Sequence, residues 1–546
     1  SIISADVNGI AASLALAGGS IGVTLSKNDI GTTVDAYIDT STVESTSGAI
    51  FVDADTNADI DTEALTVAVS VAVGASGAVA ESSSNITGHT KAYVTGASTI
   101  DAPGGTVSIT ANSISKAETT LEGGAGAVGI ALTAMDATST IERSTTAWID
   151  EAVSVVAGSV DVSSTADDTA NATTLAVSIG LAGAGTVGKT AGLIDSDAEA
   201  YIGTQADATA GSTPANIQSG GSVSITATST GSITALSEGG AGGGATGQGY
   251  LQADGDITGA TRAYVGDETV IDGLNGAAMP GSLTIEATIS EALADIDVVV
   301  GAGGVATSVA GGETGDVTVK PSAEAFIGDD VTITIDGGNA VSGNVTVKAT
   351  GRAEADSKVE TYSGSILVTE HTPKSTVTLK PEVSAYMGES TTVNADGFVN
   401  VEATLSSESD GGPLSDSISD VRGSDNTLGF AYDLGTGDSV IYSPKSSSEI
   451  IGGLEEDRLY DVVQAEPGRI SFGAIFDSGT NVDAARDTIV FNGARQLRTG
   501  DAVIYDGSSG SIIAPWQASL PSAHPAYLSA SQKLLYVRAL DQQLID

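Results

Sequence analysis

The stretch TVSITAN, residues 106–112, carries the pattern that decides the fold of this chain. Its apolar side chains, Val107, Ile109 and Ala111, alternate with hydroxyl and amide side chains. A period of two residues, with one apolar face and one polar face, is typical of a β-strand. Copies of the pattern recur along the chain at VSITAT (from Val223), LTIEAT (from Leu283), VTVKAT (from Val345) and VNVEAT (from Val399), with weaker copies at Phe51 and Val160.

An aromatic residue preceded by alanine recurs with a similar rhythm. Successive members of this series are 56, 55, 53, 63, 62 and 60 residues apart. Tracts of Gly and Ala, such as EGGAGAVGIAL (122–132), lie at equivalent positions between them. Recurrence at nearly constant spacing indicates an internal repeat. The series consists of Tyr37, Tyr93, Trp148, Tyr201, Tyr264, Phe326 and Tyr386.

These features predict an all-β fold: a parallel β-helix, or solenoid, of about seven repeats of 53–63 residues, followed by small β-modules. A repeat of strands and turns cannot bury its apolar face alone, so stacking on its neighbours completes the core. Because such a repeat is long for one coil, we expect two or more turns per repeat and a rod of about 70–100 Å. The alternative is a series of small antiparallel β-sandwich modules, one per repeat.

The charge of the chain limits its partners. Its 546 residues include 69 acidic and 21 basic side chains, which gives a formal net charge of −48. Such a surface repels nucleic-acid phosphates and anionic lipid, so we predict no nucleic-acid partner. No apolar run has the pattern of a membrane helix, so we predict no membrane insertion. The lack of cysteine excludes disulfides, thiolate metal sites and cysteine catalysis.

One segment matches the sequence pattern of a phosphate-binding loop. Gly183, Gly188, Lys189 and Thr190 satisfy G-x-x-x-x-G-K-[ST]. Such a loop must lead into a helix, whose N-terminus forms part of the anion site. Here the following residues, AGLIDSDAEAYI, lead into the repeated aromatic position and predict a turn and a strand. We therefore predict no nucleotide site, and we interpret the glycines as positions of close backbone approach.

Three sequence motifs recur in the repeats over residues 1–415: AYI(G/D), GGxVxITAxS and GGAGAxG. Together they resemble the repeat regions of filamentous-haemagglutinin-like adhesins, including the leukotoxin-type filamentous adhesins. The resemblance implies an extracellular protein of the bacterial cell surface with a β-solenoid fold. It implies a non-enzymatic structural or adhesive role as a segment of a rod, filament or matrix. The partners it implies are further copies of the chain and a glycan or protein ligand on a host or cell surface.

The last part of the chain differs in composition from the repeats. We predict a solenoid at residues 1–415 and two small β-modules, at 416–488 and 489–546. Both modules contain TGD before an apolar strand, at 436–438 and 499–501, and this motif is typical of a turn that enters a strand. We expect the modules to cap the edge of the solenoid or to join it to a neighbour.

An acidic row is the candidate for a metal site. In DADTNADID, residues 53–61, the alternation places Asp53, Asp55, Asp59 and Asp61 on one face of a strand. Ca²⁺ takes roughly six to eight oxygen ligands in flexible geometry and suits such a row. The alternative interpretation is a solvated acidic face. The sequence therefore predicts no required cofactor, with Ca²⁺ as the candidate ion for this row.

A polysaccharide-degrading β-helix enzyme is one alternative function. Such enzymes use Asp clusters with Arg or Lys in a groove, and the site requires a constellation that is not repeated. The candidate basic residues and histidines stand isolated in sequence, at Arg143, Arg262, Arg352, His89, His371 and His524.

A glycan-binding module is the other alternative. Trp516 and Tyr527, in the loop that lengthens the last module, are the aromatic side chains on which a sugar ring could stack. The competing interpretation of these two residues is ordinary packing.

Overall fold

The computed structural model contains strands and no helix among the residues it describes. These are residues 1–411 without 14–18, 72, 207, 209–210, 212, 274–280 and 336–342, and beyond residue 411 only the backbone of separate strands. The chain divides into two compact units, Ser1–Gly412 and Pro413–Asp546. We call the first unit the solenoid.

Two sheets build the solenoid, and every strand pair described in them is parallel. The first sheet contains β1 (Ile2–Ser13), β3 (Thr42–Glu44), β4 (Ile50–Ser70), β6 (Thr99–Ala127), β8 (Ser154–Gly180), β10 (Asn216–Ser219), β11 (Ser222–Gly243), β14 (Val270–Gly273), β15 (Ser282–Gly304), β18 (Thr332–Ile335), β19 (Asn344–Gly364), β23 (Thr392–Ala395) and β24 (Val399–Gly411). The second contains β2 (Ser20–Asp39), β5 (Ala75–Thr95), β7 (Ile130–Ile149), β9 (Gly183–Ile202), β12 (Thr246–Thr258), β13 (Ala260–Val265), β16 (Thr307–Val319), β17 (Ser322–Ile327), β20 (Val368–Lys374), β21 (Val377–Leu379) and β22 (Glu382–Met387). The predicted parallel solenoid is confirmed. The sandwich alternative is wrong, because sandwich modules require antiparallel pairs.

Each repeat forms one coil, so the expectation of two or more turns per repeat is wrong. Tyr93 pairs with Tyr37 on one side and with Trp148 on the other, one repeat away in each direction. One coil holds a whole repeat because its strands are long, up to 29 residues in β6. Eight rungs of the first sheet, from β1 to β24, give a stack of about 35 Å at about 4.8 Å per rung. The solenoid is therefore broad and shorter along its axis than expected.

The chain follows the same path in every coil. It runs along the second sheet, turns after the repeated aromatic residue, and then forms a short and a long segment of the first sheet. The aromatic turn contains a left-handed residue, such as Ala152 (φ 62°) or Glu268 (φ 58°). From β4 onward, the long segment returns to the second sheet through a connection of two to four residues. Stacking is so close there that a Cβ on Gly129 would lie 2.0 Å from the carbonyl oxygen of Gly74.

The interior differs between the two narrow sides of the coil. Near the aromatic turns, branched side chains stack from coil to coil, as Ile109, Val162 and Ile225 do. Near the short connections, small residues such as Ala68 and Ala125 fill the interior. Both sides follow the same inward and outward alternation, but they bury side chains of different size.

The second unit is built from short antiparallel pairs among its described strands. Its strands are β25 (Ile418–Arg422), β26 (Thr427–Phe430), β27 (Ser439–Tyr442), β28 (Arg458–Glu466), β29 (Arg469–Phe472), β30 (Val482–Asp483), β31 (Thr488–Val490), β32 (Ala502–Asp506), β33 (Gln532–Tyr536) and β34 (Leu544–Ile545). The two TGD motifs lie outside the described residues. The division into modules at 416–488 and 489–546 stays a prediction.

Candidate functional site

The repeated aromatic residues form one continuous stack along the second sheet, which confirms the predicted ladder. Six successive ring pairs have centroid distances of 4.2–5.9 Å and interplanar angles of 10° or less. Tyr37, in the first coil of the ladder, is 58% exposed, whereas Tyr264 in the middle is fully buried. The Tyr264 hydroxyl donates to Glu199 Oε1 (2.8 Å) and accepts from the Ala206 N–H (2.9 Å). Burial raises the pKa of Tyr264, so this hydroxyl stays protonated.

A pocket lies where the aromatic ladder is most open. The Trp148 and Tyr201 centroids are 5.9 Å apart, the widest step of the six. A cavity of about 280 Å³ adjoins this step. The carboxylate of Glu151 accepts from the Gly211 N–H (2.6 Å) beside the pocket. Aromatic edges next to carboxylates and amides can hold a hydroxylated or cationic ligand. The other lining residues are Asp150, Thr204, Gln205 and Ala208.

A larger, open groove of about 460 Å³ lies on the second sheet between β9, β12, β16 and β20. The sheet is irregular here, because Ala253 pairs with Thr314 but Gly255 pairs with Val317, so β16 carries one extra residue. Its lining residues are Ala191, Gly192, Leu193, Gln252, Asp254, Gly255, Asp256, Glu313, Gly315 and Lys374.

The charged side chains of this groove are all engaged by partners. Asp254 pairs with Lys189 (3.6 Å) and accepts from the Gln252 amide (3.0 Å). Glu313 contacts Lys374 and accepts from the Tyr250 hydroxyl (2.7 Å), and these two hydrogen bonds lower the pKa of Glu313. In this groove Glu313 is therefore ionised and paired with Lys374.

Among the described residues, two charged side chains lie inside the solenoid. Sequence reasoning named Arg143 only as an isolated basic residue and did not name Asp168. Arg143 is 4% exposed and Asp168 is 2% exposed. The Arg143 guanidinium donates to Thr32 Oγ1 (3.0 Å) and Thr90 Oγ1 (3.2 Å), and so reaches back across two coils. It passes Gly88, its register partner in β5, which has no side chain to block it. The signal was present in the sequence: both charges fall in the inward phase of their strands, beside Ile141 and Ala166.

The environment of Asp168 disfavours its charge. Burial raises the pKa of Asp168 to about 6, while the nearby hydroxyls of Ser196 and Ser115 and the charge of Arg143 oppose the rise. Among the described residues, Asp168 Oδ1 has no hydrogen-bond partner. A buried acid of this kind makes the stability of the solenoid depend on pH.

The acidic row lies on the outer face of β4, as the alternation predicted. Asp53, Asp55 and Asp61 are exposed and Asp59 is half-buried. Asp55 accepts from the Asn112 amide (2.9 Å), and Asp59 pairs in register with Lys116 in the next coil. No group of three or more His, Asp or Glu side chains in the described part of the chain is placed to hold a metal ion. The calcium site stays a prediction.

The residues that match a phosphate-binding loop lie inside strand β9. Thr190 is fully buried and donates to Thr174 Oγ1 (2.9 Å), and Lys189 pairs with Asp254. The segment therefore lacks the loop and the following helix that phosphate binding requires.

The remaining sequence candidates do not converge among the described residues. His89 pairs with Asp35 (3.3 Å), and His371 contacts the Ser363 hydroxyl (3.1 Å) in a later coil. Arg262 pairs with Glu324 (3.4 Å), and Arg352 pairs with Glu291 (3.2 Å). His524, Trp516 and Tyr527 lie outside the described residues.

The fold places the first unit in the class of parallel β-solenoids. No protein-family model, curated protein or solved structure matches the chain. The resemblance to filamentous-haemagglutinin-like adhesins therefore stays a prediction. No helix long and apolar enough to cross a membrane occurs in the part of the chain that the structure describes.

Proposed function

We propose that the chain is a non-enzymatic structural and adhesive repeat, a segment of a bacterial surface or matrix protein outside the cell. The observation that carries this proposal is the uninterrupted stack. Each coil is hydrogen-bonded to the next over most of its length, and the aromatic ladder continues through seven coils. In such an array, stability is a sum over neighbouring coils, which suits a protein that transmits load along its axis.

Pulling the full chain from its two ends in a force spectrometer tests the structural role. We expect the solenoid to release coils in successive steps, because each coil contacts only its neighbours. Each released repeat of 53–63 residues adds about 180–210 Å of extended chain. A single cooperative release at low force would contradict a load-bearing role.

A turnover assay distinguishes the proposed non-enzymatic role from the alternative, a polysaccharide-degrading enzyme. The paired state of the carboxylates in the groove supports the absence of acid–base chemistry there. We expect no new reducing ends or unsaturated products when the chain is incubated with acidic polysaccharides. Turnover that disappears in Glu313→Gln would assign catalysis to the groove and overturn the non-enzymatic proposal.

Glycan binding is the second candidate function, and the pocket beside Trp148 favours it. This pocket combines an aromatic edge with the carboxylates of Asp150 and Glu151, which can accept hydrogen bonds from sugar hydroxyls. A glycan array probed with the full chain tests it. Binding lost in Trp148→Ala but retained in Tyr37→Ala would locate the ligand in this pocket.

A further inference from the structure

The short connections form an exposed apolar surface along one narrow side of the solenoid. We call it the apolar edge: the described residues of the six connections from β4–β5 to β19–β20, with the outward residues that flank them. Its members in the first three of these connections, Val71, Val73, Ile130, Leu132, Ile179 and Leu181, are 50–76% exposed. Contiguous apolar surface of this kind marks an interaction site on a soluble protein.

In the first coils of the apolar edge, the larger apolar residues occupy the outward positions of the strands. At the end of β8, Leu175, Val177 and Ile179 point outward, while Thr, Ala and Ser residues point inward. At the start of β2, Ile21 and Val23 point outward, while the inward positions are Ser, Gly and Thr. The solenoid's own core cannot explain this placement, because the larger apolar side chain is on the outside in each case.

The apolar edge also has a regular relief. Along the first four coils, large side chains alternate with glycine in one row of each sheet, and the alternation ends where Gly242 pairs with Gly303. One row is Ile21, Gly77, Leu132 and Gly185, and the other is Val69, Gly126, Ile179 and Gly242. The ridges therefore repeat every two coils, about 9.6 Å apart.

The glycine grooves are not required by the fold of one solenoid. A Cβ built on Gly77 or Gly126 meets no atom within 4 Å, and neither residue has a positive φ. Elsewhere the stacking demands glycine, as at Gly129, where a Cβ would meet the backbone of the preceding coil. At Gly77 and Gly126 the absent side chain leaves space on the outside of the molecule.

We propose that the apolar edge binds the apolar edge of a second copy of this chain, displaced by one coil so that ridges enter grooves. A partner must present the same spacing of about 9.6 Å, and a second copy does. Charge favours the same choice: residues 67–80, 123–135 and 174–188 carry no charged side chain in a chain of net charge −48. Two copies therefore meet with little charge repulsion along these three connections, while Glu238 flanks the fourth connection and Glu360 and Glu370 flank the sixth.

The size of the edge is sufficient for a stable pair. Six connections stacked at about 4.8 Å span about 25–30 Å along the axis. About seven flanking residues at about 3.3 Å each give a breadth of about 25 Å, so the surface is about 600–750 Å² per copy, close to the ~800 Å² of a standard interface. This pairing deepens the proposed structural role, on which it rests, by naming the lateral partner.

Sedimentation velocity of the full chain over a concentration series tests the pairing. We expect a reversible dimer for the natural sequence. The double variant Gly77→Val, Gly126→Val fills two grooves without disturbing the coil, so it should raise the dimer dissociation constant by about 100-fold. A surface that is only sticky would associate as well or better with two more valines, and that result would overturn the proposal.

A charge-insertion pair provides the matched control. Ile130→Asp and Ile114→Asp both replace an outward isoleucine that is about half exposed, at 50% and 51%. Ile130 is on the apolar edge and Ile114 is in the middle of β6. We expect Ile130→Asp to weaken the dimer and Ile114→Asp to leave it unchanged, with unaltered circular dichroism in both variants. Equal effects of the two substitutions would contradict the proposal.

The outcomes separate pairing from the structural role. If the natural chain remains monomeric up to about 100 μM, the pairing is overturned, because this concentration is far above the dissociation constant of a standard interface. If that monomer still releases coils stepwise under force, the structural role stands without the pairing. Binding of the monomer to neutral lipid vesicles would show that a membrane, not a second copy, covers the edge.

Discussion

At the aromatic turns, Tyr264 is fully buried on the outer face and branched side chains such as Ile225 fill the interior. At the short connections, Ile179 is 65% exposed while its neighbour Ser178 is buried. The two sides belong to the same coils and follow the same alternation. The difference shows that period-two alternation is enough to form a strand. Whether the outward side chains of that strand are buried depends on the neighbouring residues at each end of the coil.

The largest expected contrast between the two sides comes from removing a large side chain. Tyr264→Ala deletes a ring stacked on both neighbours, at 4.9 and 4.5 Å, and should cost about 3–5 kcal/mol of local stability. Ile179→Ala should change the unfolding free energy of the monomer by less than about 0.5 kcal/mol. Native-state hydrogen exchange of β13 and β8 measures both. Similar costs at the two sites would remove the distinction between the two sides.

The buried acid between the two sides gives a pH-dependent effect. Asp168 has a pKa of about 6 in the folded chain, above its ordinary value, so the folded state binds the proton more tightly than the unfolded state. Its contribution to stability is therefore greatest at low pH and falls as the pH rises through about 6, by about 3 kcal/mol in total.

Urea unfolding from pH 4 to pH 8 in the natural chain and in Asp168→Asn measures this contribution. The difference between the two curves isolates Asp168 from the self-repulsion of the other carboxylates. We expect Asp168→Asn to be the more stable above pH 6. If the unfolding free energies of the two chains differ by the same amount at every pH from 4 to 8, protonation of Asp168 does not contribute to the pH dependence of stability.

Replacing one glycine in the interior and one on the apolar edge by alanine compares the effect of a single added methyl group at the two places. Gly88 has a φ of 120°, and a Cβ there would lie 1.9 Å from the Thr32 carbonyl oxygen. Gly88→Ala should therefore destabilise the solenoid by about 1–3 kcal/mol. Gly77→Ala should be neutral or stabilise the monomer by about 0.4–1 kcal/mol, because it restricts the unfolded chain. Thermal unfolding of monomeric samples measures both, and a destabilised Gly77→Ala would show that the groove is needed by the coil itself.

The smallest expected effect concerns the acidic row on β4. If Asp53, Asp55, Asp59 and Asp61 bind Ca²⁺, millimolar CaCl₂ should raise Tm by about 1–2 °C above NaCl of equal ionic strength. The Asp-to-Asn variant of all four positions should lose the difference. Identical melting curves in the two salts would leave screening alone and refute the site.

The repeat, the parallel stacking and the aromatic ladder could be predicted from the sequence because each depends on local spacing. The number of coils per repeat could not, because nothing local shows that a long segment such as β4 continues for 21 residues without a turn. Arg143 and Asp168 could have been located by following the inward phase through each strand. The groove beside Asp254 could not, since it depends on one extra residue of β16 relative to β12.

The alternation of large apolar and small residues at the apolar edge was also visible in the sequence, but the sequence did not show that the large residues face outward. LTVAVSVAVG, residues 65–74, reads as a strand whichever face is covered. Only the buried inward hydroxyls of Thr66 and Ser70 show that its valines face outward. Which face of a strand points inward is a tertiary property, because it is set by the coil on which the strand stacks.

Hydrogen exchange of the full chain at low and high protein concentration tests the contrast between the two sides most directly. We expect the aromatic-turn amides around Tyr201 and Tyr264 to be strongly protected at both concentrations. The connections at residues 128–132 and 179–183 should gain protection only at high concentration, as copies pair along the apolar edge. Protection of those connections that is equal at both concentrations would contradict the account.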